Sequence, residues 1–514
     1  MTSLRSALGM TLTTVLLAGC TLGPDFISPP PPDTQNYGSG AAPTLPQIPG
    51  EPTQHLVQNQ PIATEWWKIF GSPALDQLIH EALAGSPTLQ AAQGTLLQSQ
   101  HALAEVRGDY FPQVDFAAGA QRQRGPAFAL GLLPPNNPQP PLFNLYSIGP
   151  LVSYSPDVFG LTSRLVEQQE ALTEVAGYQW AVAQLSLTGN AVTGAFILAS
   201  TRRQIDILQE IIRTDEHSLT LIQDQFRFGK IPLHQLLTAQ VQLAHDRTLL
   251  PTLTQQYSAM ANAIAVLAGK LPGTWTAPAF DLTEFSLPTE LPVSLPSAWV
   301  RQRPDIRAAE AQLHASSAAI GVATAQMYPS FPLTASIDTA ALSATSLFQQ
   351  SSLIWSLAGG LTMPIFHGGA LTAHKQAAVD AFQATLAIYR QTVLQAFSQV
   401  TNTLQALEYD GQRLAAERLA LDSANEALRL QKLSVTAGKS DALSLLDSER
   451  NAHQARLDYT QAQTQRYLDS AELFIAMGGG WNDLNLCGYC SKQAVLPTQT
   501  HAKETDPTTQ GENQ

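Results

Sequence analysis

The stretch RFGKIPLHQLLTAQVQLAHDR, residues 227–247, has a distant copy in TAGKSDALSLLDSERNAHQAR, residues 436–456. Aligned without gaps, the two stretches share a Gly-Lys pair, a Leu-Leu pair and a closing arginine. Glycine is typical of the residue that ends a helix, and a helical pattern follows each pair. The sequence therefore predicts one turn-and-helix unit used twice, with turns at Gly229-Lys230 and Gly438-Lys439, which are 438 − 229 = 209 residues apart.

Long segments without proline surround both turns. No proline occurs from Asp157 to Ile231 or from Ile365 to Leu496, and an interior proline costs a helix about 3 kcal/mol. The segments are rich in good helix formers, and leucines recur near heptad spacing in the second. A helix from Leu161 to about Phe228 would be about 100 Å long at 1.5 Å per residue. We therefore predict two helical hairpins too long for a compact domain.

The repetition extends beyond the turns. Gly269 matches Gly478 at the same offset of 209, whereas upstream Pro87 matches Pro304 at 304 − 87 = 217. The insertion GPAFALGLLPPNNPQPP, residues 125–141, accounts for the changed offset. The predicted boundaries are 61–270 for a first repeat, 271–296 for a linker, 297–480 for a second repeat and 481–514 for a polar tail.

Four segments, two in each repeat, alternate between apolar and polar residues. In one of them Phe331, Leu333 and Ala335 alternate with Thr334 and Ser336. A period of two predicts strands with one apolar face. The expected strands cover about 113–124, 145–159, 330–342 and 352–366. A sheet packed on a water-soluble core is the plain alternative.

The long rods leave little core for such a sheet to cover, so lipid is the favoured partner of its apolar face. Strands of about 9–11 residues, apolar outward, fit a transmembrane barrel. Four strands leave two open edges that lipid cannot hydrate, so several chains must close the barrel together. Eight strands give a barrel filled by side chains, whereas about twelve strands, from three chains, leave an aqueous lumen. The polar inner face favours three chains.

The N-terminus has the pattern of an export signal. Residues 1–19 contain one positive charge and an apolar stretch, and Leu17-Ala18-Gly19-Cys20 resembles a bacterial lipobox. The resemblance implies that the signal is removed and that Cys20 carries N-palmitoyl and S-diacylglycerol groups, enough acyl chains for stable anchoring. An ordinary signal peptide is the alternative. Residues 20–60 are Pro-rich and predict an extended linker.

Several classes of protein are disfavoured. A net charge of −13 argues against nucleic-acid binding, and no run of about 18 apolar residues after residue 20 predicts a transmembrane helix. No nucleophile elbow, phosphate-binding loop or metal-ligand spacing occurs, so we expect neither an enzyme nor a cofactor beyond the lipid. Cys487 and Cys490 form a lone C-x-x-C, for which a tail disulfide, or no function at all, is favoured over redox or metal chemistry.

The chain resembles TolC-type outer-membrane efflux proteins, in the lipoprotein branch that contains OprM and NodT-like proteins. The resemblance covers nearly the whole mature chain. It rests on ATEWWKIFGSPALDQLIHEAL (63–83), YSPDVFG (154–160), MPIFHGG (363–369), RPDIRAAEAQL (303–313) and AMGGGWN (476–482). It implies a mostly α fold with a small β part: a homotrimer whose twelve-stranded outer-membrane barrel continues into a periplasmic barrel of helical hairpins.

In that family the duct passively conducts drugs or other small molecules. They are expelled by an inner-membrane transporter, here expected to be of the RND type, through a periplasmic adaptor. The resemblance places a periplasmic gate at Leu443, Asp447 and Arg450, which share one helical face. A solvated Asp447 that pairs with Arg450 within its own helix is the alternative.

The tips Gly229, Lys230, Gly438 and Lys439 are candidate adaptor-docking residues, or ordinary solvated turns. Three further functions stay open. The same duct could serve type I protein secretion or metal-ion efflux, although 11 His and 6 Met without clustered pairs give metal cargo no support. A lipid-anchored periplasmic scaffold or adaptor would also use long hairpins.

Overall fold

The computed structural model describes residues 21–31, 37, 45–124, 142–294, 299–300 and 302–481. The predicted signal peptide, Cys20, the insertion at 125–141 and the tail beyond Trp481, with Cys487 and Cys490, lie outside these ranges. The described chain is mostly helical and has two small sheets.

The elements follow one another in two similar series. The first series is β1 (His55–Gln58), a 3-10 turn (Trp66–Phe70), α1 (Pro73–Gly85), α2 (Pro87–Gly108), β2 (Gln113–Arg124), β3 (Leu142–Tyr154), α3 (Leu161–Arg227) and α4 (Leu233–Leu267). The second is β4 (Glu290–Val293), α5 (Pro304–Ala325), β5 (Leu333–Ala341), β6 (Leu353–Gly359), α6 (Ala370–Thr436) and α7 (Ala442–Ala476).

Equivalent helices of the two series have equal lengths. α3 and α6 each contain 67 residues, α4 and α7 each contain 35, and α2 and α5 each contain 22. Their starts are offset by 370 − 161 = 209, 442 − 233 = 209 and 304 − 87 = 217 residues. These are the offsets of the sequence motifs, so the prediction of two structural repeats is confirmed.

The four strands β2, β3, β5 and β6 form one antiparallel sheet in that order. Ile148 of β3 pairs with Ala118 on one side and with Thr339 on the other, and Ile337 pairs with Trp355. This register gathers the even-numbered residues of β2 and β3 and the odd-numbered residues of β5 and β6 on one face, since side chains alternate along a strand. Between the two repeats, β3 and β5 are direct neighbours.

The two faces of this sheet differ in chemistry. The first face carries, among others, Val114, Phe116, Tyr146, Ile148, Val152, Leu333, Ile337, Leu353, Trp355 and Leu357. The opposite face carries Gln113, Asp115, Gly119, Gln121, Ser147, Gly149, Ser153, Thr334, Ser336, Asp338 and Ser356, together with a few apolar residues. Alternation along each strand therefore adds up to one mainly apolar and one mainly polar face across the sheet. The apolar face also carries Arg122, Arg124 and Asn144, at the end of β2 and β3 next to the insertion.

The strand ends differ from those expected. β2 covers the expected range, but β3 starts at Leu142 and stops at Tyr154 instead of 159, before Pro156, which has no N–H to donate. β6 ends at Gly359, not at 366, and only an isolated bridge between Ser330 and Thr362 continues the pairing. Pro332 lies opposite Gly360 and has no N–H to donate, so the regular ladder ends there although the period-two pattern continues.

A second sheet was not expected from the sequence. β1 pairs in parallel with β4, so that His55 lies opposite Glu290. Each strand has only four residues, and β4 contains Pro292, so neither gives a recognisable strand pattern in the sequence. This pair joins the Pro-rich N-terminal segment to the linker between the repeats. The described parts of that segment therefore pack on the body, with Ile48 and Gln54 buried, instead of forming a free spacer.

The main core lies where the two repeats meet. It joins Phe70 and Phe196 of the first repeat to Trp299, Leu404 and Phe474 of the second. One window of α3 is long and apolar enough to cross a membrane, but 56% of it is buried within the chain. A buried core helix meets the same criterion, so the window belongs to this packing.

Candidate functional site

The two hairpin tips have the same backbone geometry. At the first tip, the Lys230 N–H donates to the Gln225 carbonyl and the Gly229 N–H to the Phe226 carbonyl, both at 2.9 Å. At the second tip, Lys439 and Gly438 donate to Ser434 and Val435 at the same distances. Each is a Schellman motif, in which the last carbonyls of the helix are satisfied by two residues beyond it.

Glycine is required at both tips by the backbone angle. Gly229 and Gly438 have φ of +67° and +69°, in the left-handed region. Both following lysines are exposed. The returning helices begin differently: the Asp441 carboxylate accepts from the Ser444 N–H at 2.8 Å and caps α7, whereas Pro232 precedes α4. Hydrogen bonds from Ser444 hold the pKa of Asp441 below its usual value.

The first tip also presents apolar side chains that the sequence analysis did not single out. Phe226, Phe228, Leu233 and Leu237 are all exposed, Phe228 with 73% of its surface. They flank the Gly-Lys pair on both sides, and their position beside a predicted turn could have identified them from the sequence. Charged groups therefore do not account for the whole tip surface.

The predicted gate residues lie on the returning helix of the second hairpin. Leu443 is in the first turn of α7, and its side chain lies outside the described part of the structure. Asp447 and Arg450 come together, with Oδ1 and Nη1 3.8 Å apart, but 72% of the Asp447 side chain is exposed. This is a long, solvated contact within one helix, and an exposed ion pair of this kind contributes little to stability by itself.

Arg450 has a second neighbour that the sequence did not predict. Asp215 of α3 is only 7% exposed and faces Asp246 of α4, which is 6% exposed. Burial first, and then hydrogen bonding and repulsion from Asp246, raise the pKa of Asp215 to about 7, against the lowering effect of Arg450. The two aspartates are 246 − 215 = 31 residues apart and lie on different helices, so no sequence motif predicts that they meet.

A cleft of about 560 Å³ runs beside this cluster between α3 and α7. It is lined by Glu210, Arg213, Thr214, His217, Ser218, Leu221, Ile222, Leu445, Glu449 and His453. Burial lowers the pKa of His453, and the nearby Arg456 lowers it further. Arg456 itself bonds Glu210 across the cleft at 2.8 Å. The cleft thus separates the two hairpins of one chain and is bridged by charged groups.

The N-terminal segment is fixed where the sheet meets the long helices. The Leu22 N–H donates to the Phe159 carbonyl at 3.4 Å, and a Cβ on Gly160 would come within 2.7 Å of the Thr21 Cα. The buried Arg164 guanidinium donates to the Leu22 carbonyl at 3.0 Å and to the Asp25 carboxylate at 2.8 Å. Thr21, the residue after Cys20, is therefore held at the start of α3.

One surface group brings metal-ligand atoms together. Glu65, Asp76 and His80 place one ligand atom each within 4.8 Å of the others. The Lys68 ammonium lies 2.8 Å from Glu65 and 3.7 Å from Asp76, and all four side chains are at least 32% exposed. Because Lys68 already pairs with both carboxylates and the side chains are solvated, the group gives no argument for a metal site.

Comparison with known proteins gives the family. The sequence profile described as "Outer membrane efflux protein" matches residues 78–270 and 295–479, one segment in each repeat. The pyoverdine export outer membrane protein OpmQ of Pseudomonas aeruginosa is 27% identical over 420 residues, which are 81% of this chain and 87% of OpmQ. The toluene efflux pump outer membrane protein TtgF of Pseudomonas putida is 28% identical over 475 residues, 92% of this chain and 96% of TtgF.

The fold agrees with a solved structure. The outer-membrane channel OprN matches with a TM-score of 0.79 and 26% identity, over 90% of this chain and 100% of that one. The matched profile covers well over half of the 514 residues, in both repeats. The chain belongs to the outer membrane efflux protein family, the TolC-type proteins that its motifs indicate.

Proposed function

We propose that this protein is the exit duct of a tripartite efflux pump. It passively conducts drugs or other small molecules through the outer membrane after an inner-membrane transporter has expelled them. The observation that carries the proposal is the four-stranded sheet. Its strand register places the apolar side chains on one face, which is exposed, and the polar side chains on the opposite face. Phe116, Ile337, Trp355 and Leu357 expose 58–75% of their surfaces on that apolar face.

The edges of the sheet support a trimer. Among the described strands, β2 and β6 have a neighbour on one side only. In lipid, an unpaired backbone N–H or C=O costs several kcal/mol, so only a closed barrel is stable there. Three copies supply about twelve strands, enough for a water-filled lumen lined by the polar face. Asp115 and Asp338 lie on that polar face and would give the lumen acidic groups.

The hairpins support a periplasmic conduit. At 1.5 Å per residue, α3 and α6 are each about 100 Å long, enough to carry a barrel of helices far from the membrane. The tips at Gly229-Lys230 and Gly438-Lys439 then face a periplasmic adaptor and an inner-membrane transporter, which we propose to be of the RND type. The exposed phenylalanines and leucines of the first tip suit a protein partner.

The anchor fits the same arrangement. Thr21 lies at the start of α3, next to the end of the sheet, so a lipid on Cys20 meets the membrane beside the barrel. The gate is proposed at Leu443, Asp447 and Arg450, and adaptor and transporter binding at the tips opens it by moving the hairpins apart.

The sheet, the hairpins and the anchor do not identify the transported molecule. OpmQ is named for pyoverdine and TtgF for toluene, so similar ducts are named for very different molecules. We therefore assign cargo choice to the transporter. No observation favours type I secretion, metal-ion efflux or a periplasmic scaffold.

Reconstitution tests the proposal. The purified lipoprotein, added to planar bilayers, should insert as a trimer and carry ionic current. Deleting its gene should sensitise the cell to at least one exported compound, and the plasmid-borne gene should restore resistance. A water-soluble monomer that carries no current would contradict the proposal.

A further inference from the structure

Two arginines lie at one end of the lipid-facing side of the sheet. Arg122 and Arg124 of β2 are exposed, and they share a face with Phe116 because β2 pairs with β3 along its whole length without a bulge. Asn144 of β3 lies directly opposite Arg122 on the same face. Every second residue of a strand is only about 6.8 Å farther along, so these three side chains occupy one small area. We call Arg122, Arg124 and Asn144 the arginine patch.

The arginine patch lies at the extracellular end of the sheet. β2 begins just after α2, which belongs to the periplasmic helical part, so Arg124 ends the strand on the far side of the membrane. From Val114 to Arg122 the strand advances 122 − 114 = 8 residues, about 27 Å along its length and about 20 Å across the membrane at the usual tilt. The apolar band of such barrels is about 25 Å tall and is edged by aromatic residues. Tyr146, the next residue of β3 on this face after Asn144, is such a residue, and the patch therefore lies at the level of the lipid headgroups.

The chain supplies no anion to this patch. The four described strands contain four charged residues, and both acids, Asp115 and Asp338, lie on the opposite face. The connections at the extracellular end, residues 125–141 and 342–352, contain no Asp or Glu. Within the part of the chain that the structure describes, Arg122 and Arg124 form no ion pair.

The cations at the periplasmic end of the sheet are different. Arg107, just before β2, lies 2.6 Å from a carboxylate oxygen of Glu170. Arg164, just after β3, lies 2.8 Å from a carboxylate oxygen of Asp25. Both of these arginines have an acidic partner from the same chain. At the extracellular end the partner must come from outside the chain, and the groups nearest to a lipid-facing side chain at that level are lipid headgroups.

We propose that the arginine patch binds phosphate groups of the lipid in the outer leaflet. That leaflet is built of lipopolysaccharide, whose lipid A carries phosphates on its sugars. A guanidinium group binds phosphate through two parallel N–H···O bonds, and the Asn144 amide can donate a further one. Clusters of basic residues at a membrane surface recognise lipid phosphates in the same way. The inference rests on the proposed duct and adds to it one lipid-binding surface per chain.

The sequence of β2 offers a matched control. Residues 121–124 read Gln-Arg-Gln-Arg, and Gln121 and Gln123 lie on the lumen face. A swapped variant with Gln121→Arg, Arg122→Gln, Gln123→Arg and Arg124→Gln keeps the composition and the net charge and moves both cations to the lumen. A lysine variant, Arg122→Lys with Arg124→Lys, keeps the charges on the outer face but loses the bidentate geometry. Both variants should form heat-resistant trimers, since neither puts a charge within the apolar band.

Native mass spectrometry of the purified full-length trimer, titrated with lipid A, measures the binding. The wild type should bind lipid A severalfold more tightly than lipid A stripped of its phosphates, and severalfold more tightly than phosphatidylglycerol. The swapped variant should lose this preference. The lysine variant should bind lipid A with an affinity between those of the wild type and the swapped variant. If the swapped variant fails to assemble, Arg122→Gln with Arg124→Gln takes its place, with the same expected loss.

Three results would overturn the proposal. The first is equal binding of lipid A by the wild type and the swapped variant, which would mean that the arginines are merely solvated at the membrane surface. The second is equal binding of lipid A with and without its phosphates. The third is binding of phosphatidylglycerol as tight as that of lipid A, which would remove the assignment to the outer-leaflet lipid. A wild type that forms no trimer or carries no current would instead count against the duct itself, whatever lipid it binds.

Discussion

Ile337 of β5 lies directly opposite Trp355 of β6, and the two side chains expose 58% and 74% of their surfaces on the same face of the sheet. Two large apolar residues so placed would be costly in water and suit lipid. Their neighbours Ser336 and Ser356 lie on the other face, where the hydroxyls are 2.9 Å apart. Adjacent residues of one strand thus lie on an apolar face and on a polar face of the sheet.

This difference between the two faces gives the first prediction. Ile337→Lys puts a charge on the lipid face, where lysine costs about 2–4 kcal/mol at the bilayer midplane. We expect severalfold less heat-resistant trimer in outer-membrane fractions, measured on unboiled gels. Ser336→Lys carries the same charge on the lumen face and should assemble at near wild-type yield. Equal losses in both variants would contradict the assignment of the two faces.

The second prediction concerns the tips. A Cβ at Gly438 meets nothing within 4 Å, but the backbone has φ of +69°. Gly438→Ala should therefore destabilise the turn by about 1–2 kcal/mol through backbone strain alone. Thermal unfolding of the purified protein should show a lower transition temperature.

Gly94→Ala is the matched control for the tip variant. Gly94 lies inside α2, its added Cβ also meets nothing, and its φ is ordinary. Alanine there should raise stability by about 0.5–1 kcal/mol, because glycine weakens a helix interior. Destabilisation of both variants to the same degree would mean that the left-handed turn is not the cause.

The third prediction concerns the gate. Replacing Leu443 and Asp447 together by alanine should raise bilayer conductance at neutral pH and increase entry of large antibiotics. The reason is that the proposed constriction loses its apolar and its charged groups at once. Ser448→Ala, in the same helix, should leave conductance near the wild-type value. An unchanged conductance in the double variant would remove these two residues from the gate.

The fourth prediction concerns the anchor. Cys20→Ser should abolish incorporation of radioactive palmitate. The protein should still form trimers, because the sheet and core do not include residue 20. Thr21→Ser, one residue later, keeps the lipobox cysteine and should be labelled normally. Palmitate on the Cys20→Ser protein would show that the lipid is attached elsewhere.

The sequence predicts the long elements well because their signals are local and repeated. Proline-free stretches and the Gly-Lys pair predict α3 from Leu161 nearly to its observed end at Arg227, and the repeat offsets match those of the helices. Strand periodicity locates all four large strands and the face that each side chain occupies. These features depend on residues close together in the chain.

The parts that were missed or wrong depend on distant residues or on isolated prolines. β1 and β4 pair across more than 200 residues with four residues each, and Pro156 and Pro332 shorten strands whose alternation continues past them. Asp215 and Asp246 become a pair only when α3 and α4 fold against each other. Helical spacing correctly brings Asp447 and Arg450 together, but it shows only partners in the same helix and gives no sign of Asp215.

Amide hydrogen exchange of the purified protein in lipid nanodiscs tests the central claim most directly. If three chains close one barrel, β2 and β6 lose their open edges, and their amides should be protected as strongly as those of β3 and β5. The particle should contain three chains by native mass spectrometry. A single chain whose β2 and β6 amides exchange rapidly while β3 and β5 stay protected would contradict the account.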